Sequence, residues 1–489
     1  MVERALVGSS RDSVLGQFAQ LRRLQHGMLE RLGSTVAGRV YVYRGEAFDW
    51  SKLLIRSGCI DPSKYTTYKH GGDMLFARTM ASPSAPWVTR NASAATLFVV
   101  PSLLGLSSTE IPSMEQSATY GRWVRNRTHD CSKWSYARLL HRMLAALRSS
   151  PHWGMKPHLF LSGGWQTLSS GMTRTRTTDL LFRQPKVIIA HYEIGPNGGS
   201  YEAGGDAKGL VLVNDPYVGP CRPCRFALLP EGTSEGRCED EWAAAWARSL
   251  ERRSVLLYFR GSIDSRQAYE PRARMCEALE RVRSDGVHLC IRSAGASNGS
   301  KTATERSRAG TAHGVHFPDC PRKSAVEERE LAWWQKRECF HAPAARRRLR
   351  GGRCAELVTC SAPHGRAFCR EIPHARFALA PSGDVPSSGR LFEAMEAGSL
   401  PVAISEGLLP TMSPLVRWKD FLLDVTAPST AGLASNLQRV VDSLPQTELE
   451  ARRLEMLRWL PLVSWNIDPF SVSMHILAQA ALRIDELGW

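Results

Sequence analysis

The sequence has no apolar run long enough to cross a membrane. Its longest mostly apolar stretch, Ala94–Leu106, has thirteen residues and contains Pro101. A helix that crosses a bilayer needs roughly 20 apolar residues. The N-terminal stretch Met1–Leu32 mixes charged and polar residues with leucines at helical spacing, which is not the pattern of a signal peptide. We therefore expect no membrane anchor within this chain.

Acidic residues are scarce relative to basic ones. The chain has 47 Asp and Glu against 63 Lys and Arg, a formal net charge of +16. Such an excess favours polyanionic partners, and a basic surface that only serves solubility is an equal alternative. A nucleic-acid interface needs a continuous basic face with interleaved aromatics, whereas the arginines here are scattered, with one dense cluster at Arg346–Arg348. We expect no nucleic-acid partner.

The sequence also lacks internal repeats and long low-complexity tracts. Hydrophobic residues make up 43% and charged residues 22%, which excludes wholesale disorder and fibrous folds. A length of 489 residues is too great for one ordinary domain and natural for two.

Cysteines and sequons favour the secretory pathway. Six of the twelve cysteines lie in one basic, loop-rich stretch, which is typical of disulfides in an oxidising lumen, whereas the spacing of cysteine and histidine there matches no standard zinc site. Asn-X-Ser/Thr triplets, each a weak signal, indicate the same compartment. These six cysteines are Cys290, Cys320, Cys339, Cys354, Cys360 and Cys369, and the triplets begin at Asn91, Asn126 and Asn298.

Short β-branched runs alternate with helical patterns along the chain. Most runs are continuously apolar, as parallel strands are when helices cover both faces of their sheet. The alternation predicts two doubly wound α/β domains. The predicted strands are Val40–Tyr43, Thr96–Val100, His158–Leu161, Val187–Ala190, Leu210–Val213, Val255–Phe259, His288–Ile291, Phe377–Ala380 and Pro401–Ile404. The predicted helices include Trp134–Leu147, Trp242–Arg252, Pro271–Arg283 and Arg390–Ala397.

The predicted domain boundary lies near Arg237–Ser254, where the Gly/Pro/Cys-rich segment Gly219–Cys238 ends and a new strand–helix alternation begins. We predict an N-terminal domain at residues 1–245, a C-terminal domain at 246–440 and C-terminal helices at 441–489. Residues 293–370 interrupt the strand–helix alternation with few apolar runs, and we interpret them as a surface insertion in the second domain.

The most informative segment is Arg376–Glu406. A buried strand is followed by a Gly/Ser-rich turn and a helix with Arg390 in its first turn, and we expect Gly398 to end that helix as the C′ residue. Backbone N–H groups and the helix dipole make such a turn an anion site, and serine hydroxyls with a guanidinium favour a diphosphate. Glu393 projects from the same helix face, where a carboxylate can accept hydrogen bonds from ribose hydroxyls. The alternative is that Ser387 is only an N-cap, Arg390 is solvated and Glu393 is exposed.

A second positive charge lies at the end of an earlier strand. The run Val255–Phe259 is followed by Arg260 and Gly261. An arginine at the carboxyl end of a buried strand points into the crevice where ligands of open α/β sheets bind. Its alternative role is a structural ion pair.

These segments resemble exostosin-type glycosyltransferases, the family numbered 47. The resemblance is carried by LLYFRG (Leu256–Gly261), RARMCEAL (Arg272–Leu279) and the stretch Phe377–Ile404, with weaker traces in Leu408–Val425 and Lys156–Gln166. It implies a GT-B architecture, in which two Rossmann-like doubly wound domains face each other across a cleft. The C-terminal domain would hold a nucleotide sugar and the N-terminal domain the acceptor.

The resemblance further implies an inverting enzyme of the Golgi lumen or membrane that transfers a sugar from a UDP-sugar to a glycan or glycoprotein, and a homodimer or heterodimer is an open expectation. A non-catalytic glycan-binding or partner subunit with the same fold is the alternative. Carried over by position, Arg260 and Arg390 contact the diphosphate and Glu393 holds the ribose. The remaining residues of this donor set, which shape or line the turn, are Gly261, Gly383, Asp384, Ser387 and Ser388.

Inverting transfer needs a base for the acceptor hydroxyl and positive groups for the leaving diphosphate. Because the chain has no Asp-x-Asp triplet, we expect no metal cofactor and assign the diphosphate charge to the arginines and helix N–H groups, with the UDP-sugar as co-substrate. The base should come from the first domain, and spacing singles out none of the four candidates. They are His158, His191, Glu193 and Asp215.

Overall fold

The chain divides into two units. In the computed structural model the protein is described at residues 11–60, 71–82, 85, 87–104, 136–161, 184–191, 210–214, 250, 253, 255–261, 270–284, 287–293, 346–348, 354–356, 359–360, 372–382, 388–405, 408 and 413–489. The N-terminal unit comprises Arg11–Trp242, Gly407–Arg417 and Leu457–Trp489, and the C-terminal unit comprises Ala243–Glu406 and Trp418–Met456.

Strands and helices alternate through the described residues. The strands are β1 (Val40–Val42), β2 (Leu97–Val100), β3 (His158–Leu161), β4 (Val187–His191), β5 (Leu210–Asn214), β6 (Val255–Gly261), β7 (Val287–Ser293), β8 (Arg346–Arg348), β9 (Cys354–Glu356), β10 (Thr359–Cys360), β11 (Ala375–Pro381), β12 (Leu400–Ile404) and β13 (Leu423–Asp424). The α-helices are α1 (Arg11–Val36), α2 (Trp50–Arg56), α3 (Gly72–Ala81), α4 (Tyr136–Arg148), α5 (Glu270–Leu279), α6 (Gly389–Glu396), α7 (Thr430–Ser443), α8 (Gln446–Val463) and α9 (Pro469–Leu487). None of these helices is long and apolar enough to span a bilayer.

The N-terminal unit is built on a five-stranded parallel sheet in the order β1-β2-β3-β4-β5. Alternate residues of its strands enter two separate cores because helices cover both faces. Phe98 and Ile189 pack in the core that α2 and α4 close, whereas Val99 and Ile188 pack in the core that α3 and α9 close. Burial of both faces explains why the strands appear in the sequence as continuous apolar runs.

The C-terminal unit holds an eight-stranded sheet in the order β13-β12-β11-β6-β7-β9-β8, with β10 beside β7. Every pair is parallel except β8 with β9. Leu257, Phe259, Phe377 and Leu379 face one core with α5 and α7, and α6 lies outside that core. Two parallel-sheet α/β units are thus present, which confirms the predicted fold class at the level of each unit.

The region predicted as an insertion contributes strands to this sheet. β8, β9 and β10 all come from residues 293–370 and extend the sheet beyond β7. The prediction missed them because each has only two or three residues. Such short strands show no apolar periodicity, and the strand signal depends on periodicity.

The last helix belongs with the N-terminal unit. The predicted C-terminal stretch 441–489 is divided, since Leu457–Trp489 groups with the five-stranded sheet. Trp465, Ile476 and Leu477 are fully buried in the core that also holds Val99. The sequence predicts helices in this stretch but carries no information about which sheet they cover.

A buried histidine connects α9 to two other segments of the N-terminal unit. The Nδ1 of His475 donates to the Leu462 carbonyl at 2.8 Å, and its Nε2 accepts from the Ser413 hydroxyl at 2.7 Å. His475 is 0% exposed. Burial, which opposes the charged ring, lowers its pKa from 6.5 to about 4. The neutral ring is therefore part of the folded structure.

Acid should destabilise the fold through this residue. In the unfolded chain the pKa of His475 returns to 6.5, so between pH 6.5 and about 4 the unfolded state binds more protons. Its contribution is present above pH 6.5 and is lost as pH falls towards 4, by up to about 3 kcal/mol. Thermal unfolding midpoints measured from pH 7 to pH 4 should fall less steeply for His475→Gln than for the wild type. Exposed His26 supplies the control, because His26→Gln should retain the wild-type slope.

Candidate functional site

The strand order of the C-terminal unit reverses between β6 and β11. The chain passes from β6 to β7 on one side, and β11 later pairs with the other side of β6 and continues to β12. Helices that follow two such strands leave on opposite faces, which opens a crevice at the carboxyl ends of the strands. The five described strands of the N-terminal unit follow chain order and contain no such reversal. The candidate site therefore lies at the carboxyl ends of β6 and β11.

Arg260 brings a buried positive charge to this edge. It is the second-last residue of β6 and is 1% exposed. Its neighbour Phe259 faces the core with α5 and α7. Because side chains alternate along a strand, Arg260 projects from the opposite face, the one from which α6 follows β11.

Gly261, which was predicted as a donor-binding residue, has a packing role in the structure. A Cβ atom at this position would lie 2.5 Å from Cζ of Phe259, closer than real Cβ contacts. Phe259 is itself 1% exposed and has little room to move. The glycine is therefore needed so that the Phe259 ring can fold against the end of β6.

Arg390 and Glu393 form an ion pair in the first turns of α6. The Nη1 of Arg390 donates to Oε2 of Glu393, and the two side chains are only 17% and 10% exposed. The alternative of a solvated arginine and an exposed glutamate is therefore wrong. The ion pair holds the guanidinium near the start of α6, on the helix that follows the carboxyl end of β11.

Helix α6 begins at Gly389, and its N-cap is Ser388 rather than Ser387. Ser388 is the N-cap residue, with extended backbone angles of φ −131° and ψ 122°. Its side chain makes no capping hydrogen bond to the helix, although Ser388 is only 6% exposed. The alternative that Ser387 is the N-cap is wrong. A serine side chain that makes no capping hydrogen bond to its own helix is compatible with an anion at that end.

The other end of α6 is closed by an arginine. Gly398 follows the helix with φ +66°, as predicted for a residue that ends a helix, and its N–H donates to the Met395 carbonyl at 3.0 Å. The Nη1 of Arg253 donates to the Ala375 carbonyl at 2.9 Å, and its Nη2 donates to the Ala397 carbonyl at 3.2 Å. A guanidinium on the last carbonyls of a helix is favourable for the helix dipole. Arg253 therefore anchors the helix that carries Arg390.

Arg272 contacts the turn that follows β11, a role that its position in the sequence does not reveal. Its Nε donates to the Ser382 carbonyl at 3.0 Å, directly after β11. The bond joins α5, which follows β6, to the exit of the neighbouring strand. The available signal was an arginine in the first turn of a helix that follows the strand carrying Arg260.

A disulfide holds the same helix to the sheet. Cys276 of α5 is bonded to Cys290 of β7, with 14 residues of sequence separation. Cys290 belongs to the six cysteines expected in disulfides, but its partner lies outside that set. Cys59 in the N-terminal unit is disulfide-bonded as well.

Loss of this disulfide should lower stability. Closing a loop of about 15 residues is worth about 3 kcal/mol in the chain-entropy model. The double variant Cys276→Ser/Cys290→Ser should therefore unfold at a lower temperature than the wild type under oxidising conditions. Addition of a thiol reductant should lower the midpoint of the wild type more than that of the variant. Equal midpoints for both proteins before reduction would contradict the bond.

The structure removes His158 from the base candidates. It is the first residue of β3 and so lies at the amino edge of the N-terminal sheet, away from the carboxyl edge where ligands of open sheets bind. Its Nδ1 donates to the Lys156 carbonyl at 2.7 Å, and its Nε2 accepts from the Tyr43 hydroxyl at 3.0 Å. Burial lowers the pKa of His158 to about 4. Both ring nitrogens therefore make hydrogen bonds within the fold, and we no longer propose His158 as the catalytic base.

His191 remains a candidate for the catalytic base. It is the last residue of β4, at the carboxyl edge of the N-terminal sheet, in register with Asn214 of β5.

The described residues contain no group of three or more His, Cys, Asp or Glu side chains suited to a metal ion. The remaining predicted residues, Glu193, Asp215, Gly383, Asp384 and Ser387, lie outside the described residues.

Comparisons with known proteins agree with the resemblance. The Exostosin GT47 domain model matches residues 34–440. A curated Arabidopsis thaliana protein named as a probable glycosyltransferase is 28% identical over 78 residues, 16% of this chain and 15% of that protein.

Solved structures provide weaker similarity. Anabaena HepE in complex with UDP and glucose is 11% identical with a TM-score of 0.35, over 92% of this chain and 99% of that one. The sucrose-phosphate synthase of Thermosynechococcus elongatus is also 11% identical with a TM-score of 0.35, over 92% and 98%. TM-scores this low support no inference about the site.

Proposed function

The chain belongs to the Exostosin GT47 domain family of glycosyltransferases, and on that premise we propose that it transfers a sugar from a UDP-sugar donor to a glycan acceptor with inversion of the anomeric carbon. The observation that carries the proposal is the combination of buried Arg260 with the Arg390–Glu393 ion pair at the edge where β6 and β11 reverse the strand order. Donor binding is assigned to the C-terminal unit.

The positive groups of this edge match the charge that develops on the leaving group. In an inverting displacement the acceptor oxygen bonds to the anomeric carbon while the carbon–oxygen bond to the diphosphate breaks, and the electron pair goes to the diphosphate. Buried, preorganised donors stabilise such charge far more than water does, and one donor is typically worth about 100- to 1,000-fold in rate. Arg260 and Arg390, with the first N–H groups of α6, supply these donors.

Glu393 orients Arg390 and accepts hydrogen bonds from the ribose. One carboxylate can do both, because its two oxygens together offer about four acceptor positions. Arg390 occupies Oε2. The hydroxyl of Ser388 joins the phosphate contacts at the start of α6.

The acceptor proton is taken by a group of the N-terminal unit. His191, Glu193 and Asp215 remain candidates, because each ends or follows β4 or β5 at the carboxyl edge of its sheet. The Cys276–Cys290 disulfide supports an oxidising compartment such as the Golgi lumen, since disulfides persist there.

Donor binding should depend on Arg390. At a UDP concentration about 100-fold above the dissociation constant, the wild type should gain about 2.7 kcal/mol of stability, which thermal unfolding detects. Arg390→Ala should lose most of this gain because it removes a charged contact to the diphosphate. Arg452→Ala is the matched control, since Arg452 forms a similar helical ion pair with Glu448 in the same unit and should retain the gain. If no UDP-sugar or GDP-sugar stabilises the wild type, the alternative of a non-catalytic glycan-binding subunit is favoured.

Arg272 should position the donor turn. Removing the hydrogen bond to the Ser382 carbonyl in Arg272→Ala should raise the dissociation constant of UDP about tenfold, which corresponds to about 1.4 kcal/mol. Arg274→Ala on the same helix is the control, because Arg274 donates instead to the Pro428 carbonyl. Calorimetric titration with UDP measures both variants. An equal loss in both would show that only the stability of α5 matters.

A further inference from the structure

An exposed asparagine begins the turn that leads into β2. Asn91 starts the triplet Asn91-Ala92-Ser93, and Asn91 and Ser93 are both exposed. Its Oδ1 accepts from the Ser93 N–H at 3.0 Å, and its own N–H donates to the Thr89 hydroxyl at 3.1 Å. The turn is therefore ordered while its side chains face solvent. From this arrangement we propose that Asn91 is an acceptor site for N-linked glycosylation.

The geometry of the turn suits the transfer chemistry. The Nδ2 atom of Asn91 attacks the anomeric carbon of an oligosaccharide carried on a polyprenyl diphosphate, which is the co-reactant. A carbon–nitrogen bond forms, the carbon–oxygen bond to the diphosphate breaks, and the diphosphate leaves with the electron pair. The amide nitrogen gives one proton to a carboxylate of the transferring enzyme. The hydrogen bond to Oδ1 leaves Nδ2 available for this reaction, and the triplet supplies the Ser93 hydroxyl for recognition.

The position of Asn91 in the fold accommodates a bulky glycan. The turn ends where the chain enters the core, since Ala95 and Leu97 are at most 1% exposed. Asn91 precedes the start of β2 and so lies at the amino edge of the parallel sheet, whereas His191 lies at the carboxyl edge. A glycan on Asn91 would project into solvent at the edge opposite to the base candidates, so it is compatible with activity.

Disulfide bonds point independently to the compartment in which this modification occurs. Cys276 and Cys290 are bonded in the C-terminal unit, and Cys59 is disulfide-bonded in the N-terminal unit. Disulfides form in the oxidising secretory lumen, where glycans are also added to Asn-X-Ser/Thr triplets. The inference therefore does not depend on the identity of the sugar donor.

The experiment isolates Asn91 from the other two triplets. The full chain, carrying an appended secretory signal and the changes Asn126→Gln and Asn298→Gln, is produced in eukaryotic cells. An amidase that releases N-glycans should increase its electrophoretic mobility and convert Asn91 to aspartate, which mass spectrometry of the peptide detects. Adding Asn91→Gln or Ser93→Ala should abolish the mobility change, and adding Ser93→Thr should preserve it.

An unmodified Asn91 peptide in the secreted chain would overturn the proposal. A mobility change that persists in Asn91→Gln would also overturn it, because the glycan would then lie elsewhere. Stabilisation by UDP should be the same in Asn91→Gln and the wild type. This readout tests the donor site separately, so that failure of one proposal is distinguishable from failure of the other.

Discussion

The order in which strands join the C-terminal sheet is the constraint on which the candidate site depends. β6 is the first strand of this unit and ends in the middle of its sheet, with β7 on one side and β11 on the other. At this place the chain passes from β6 to β7 on one side of the sheet and from β11 to β12 on the other. The crevice, the buried Arg260 and the start of α6 are all consequences of that single reversal.

Helix α6 is useful to the site because it is fixed at both ends. Arg253 donates to the Ala397 carbonyl at its carboxyl end, and the Arg390–Glu393 ion pair orders its first turn. A buried charge is costly unless it is paired and hydrogen-bonded, so these contacts also make the burial of the arginines tolerable. The hydrogen bond from Arg272 to Ser382 adds a connection between α5 and the strand that precedes α6. Contacts through α5 on one face of the sheet and α6 on the other therefore hold the site residues in place.

Local patterns predicted most of the secondary structure near the site. The continuous apolar runs located β6, β11 and β12 to within two residues at each end, and Gly398 marked the end of α6. The short strands β8 to β10 were missed because two or three residues carry no periodicity. His158 was misjudged for a different reason: it was considered because it lies at a strand end, although the predicted strand His158–Leu161 already places it at the amino end. The structure adds that both ring nitrogens make hydrogen bonds within the fold.

By itself, the sequence determined the two α/β halves, the family and the residues with suitable chemistry, because these depend on local periodicity and on a motif within one strand–turn–helix segment. Only the tertiary structure decided that Arg390 is paired with Glu393, that Cys276 joins Cys290, that Arg272 reaches Ser382 and that the last helix closes the first sheet. Apart from the ion pair within α6, these contacts join residues from different elements. They depend on the directions in which side chains point after packing, and spacing along the chain carries no record of those directions.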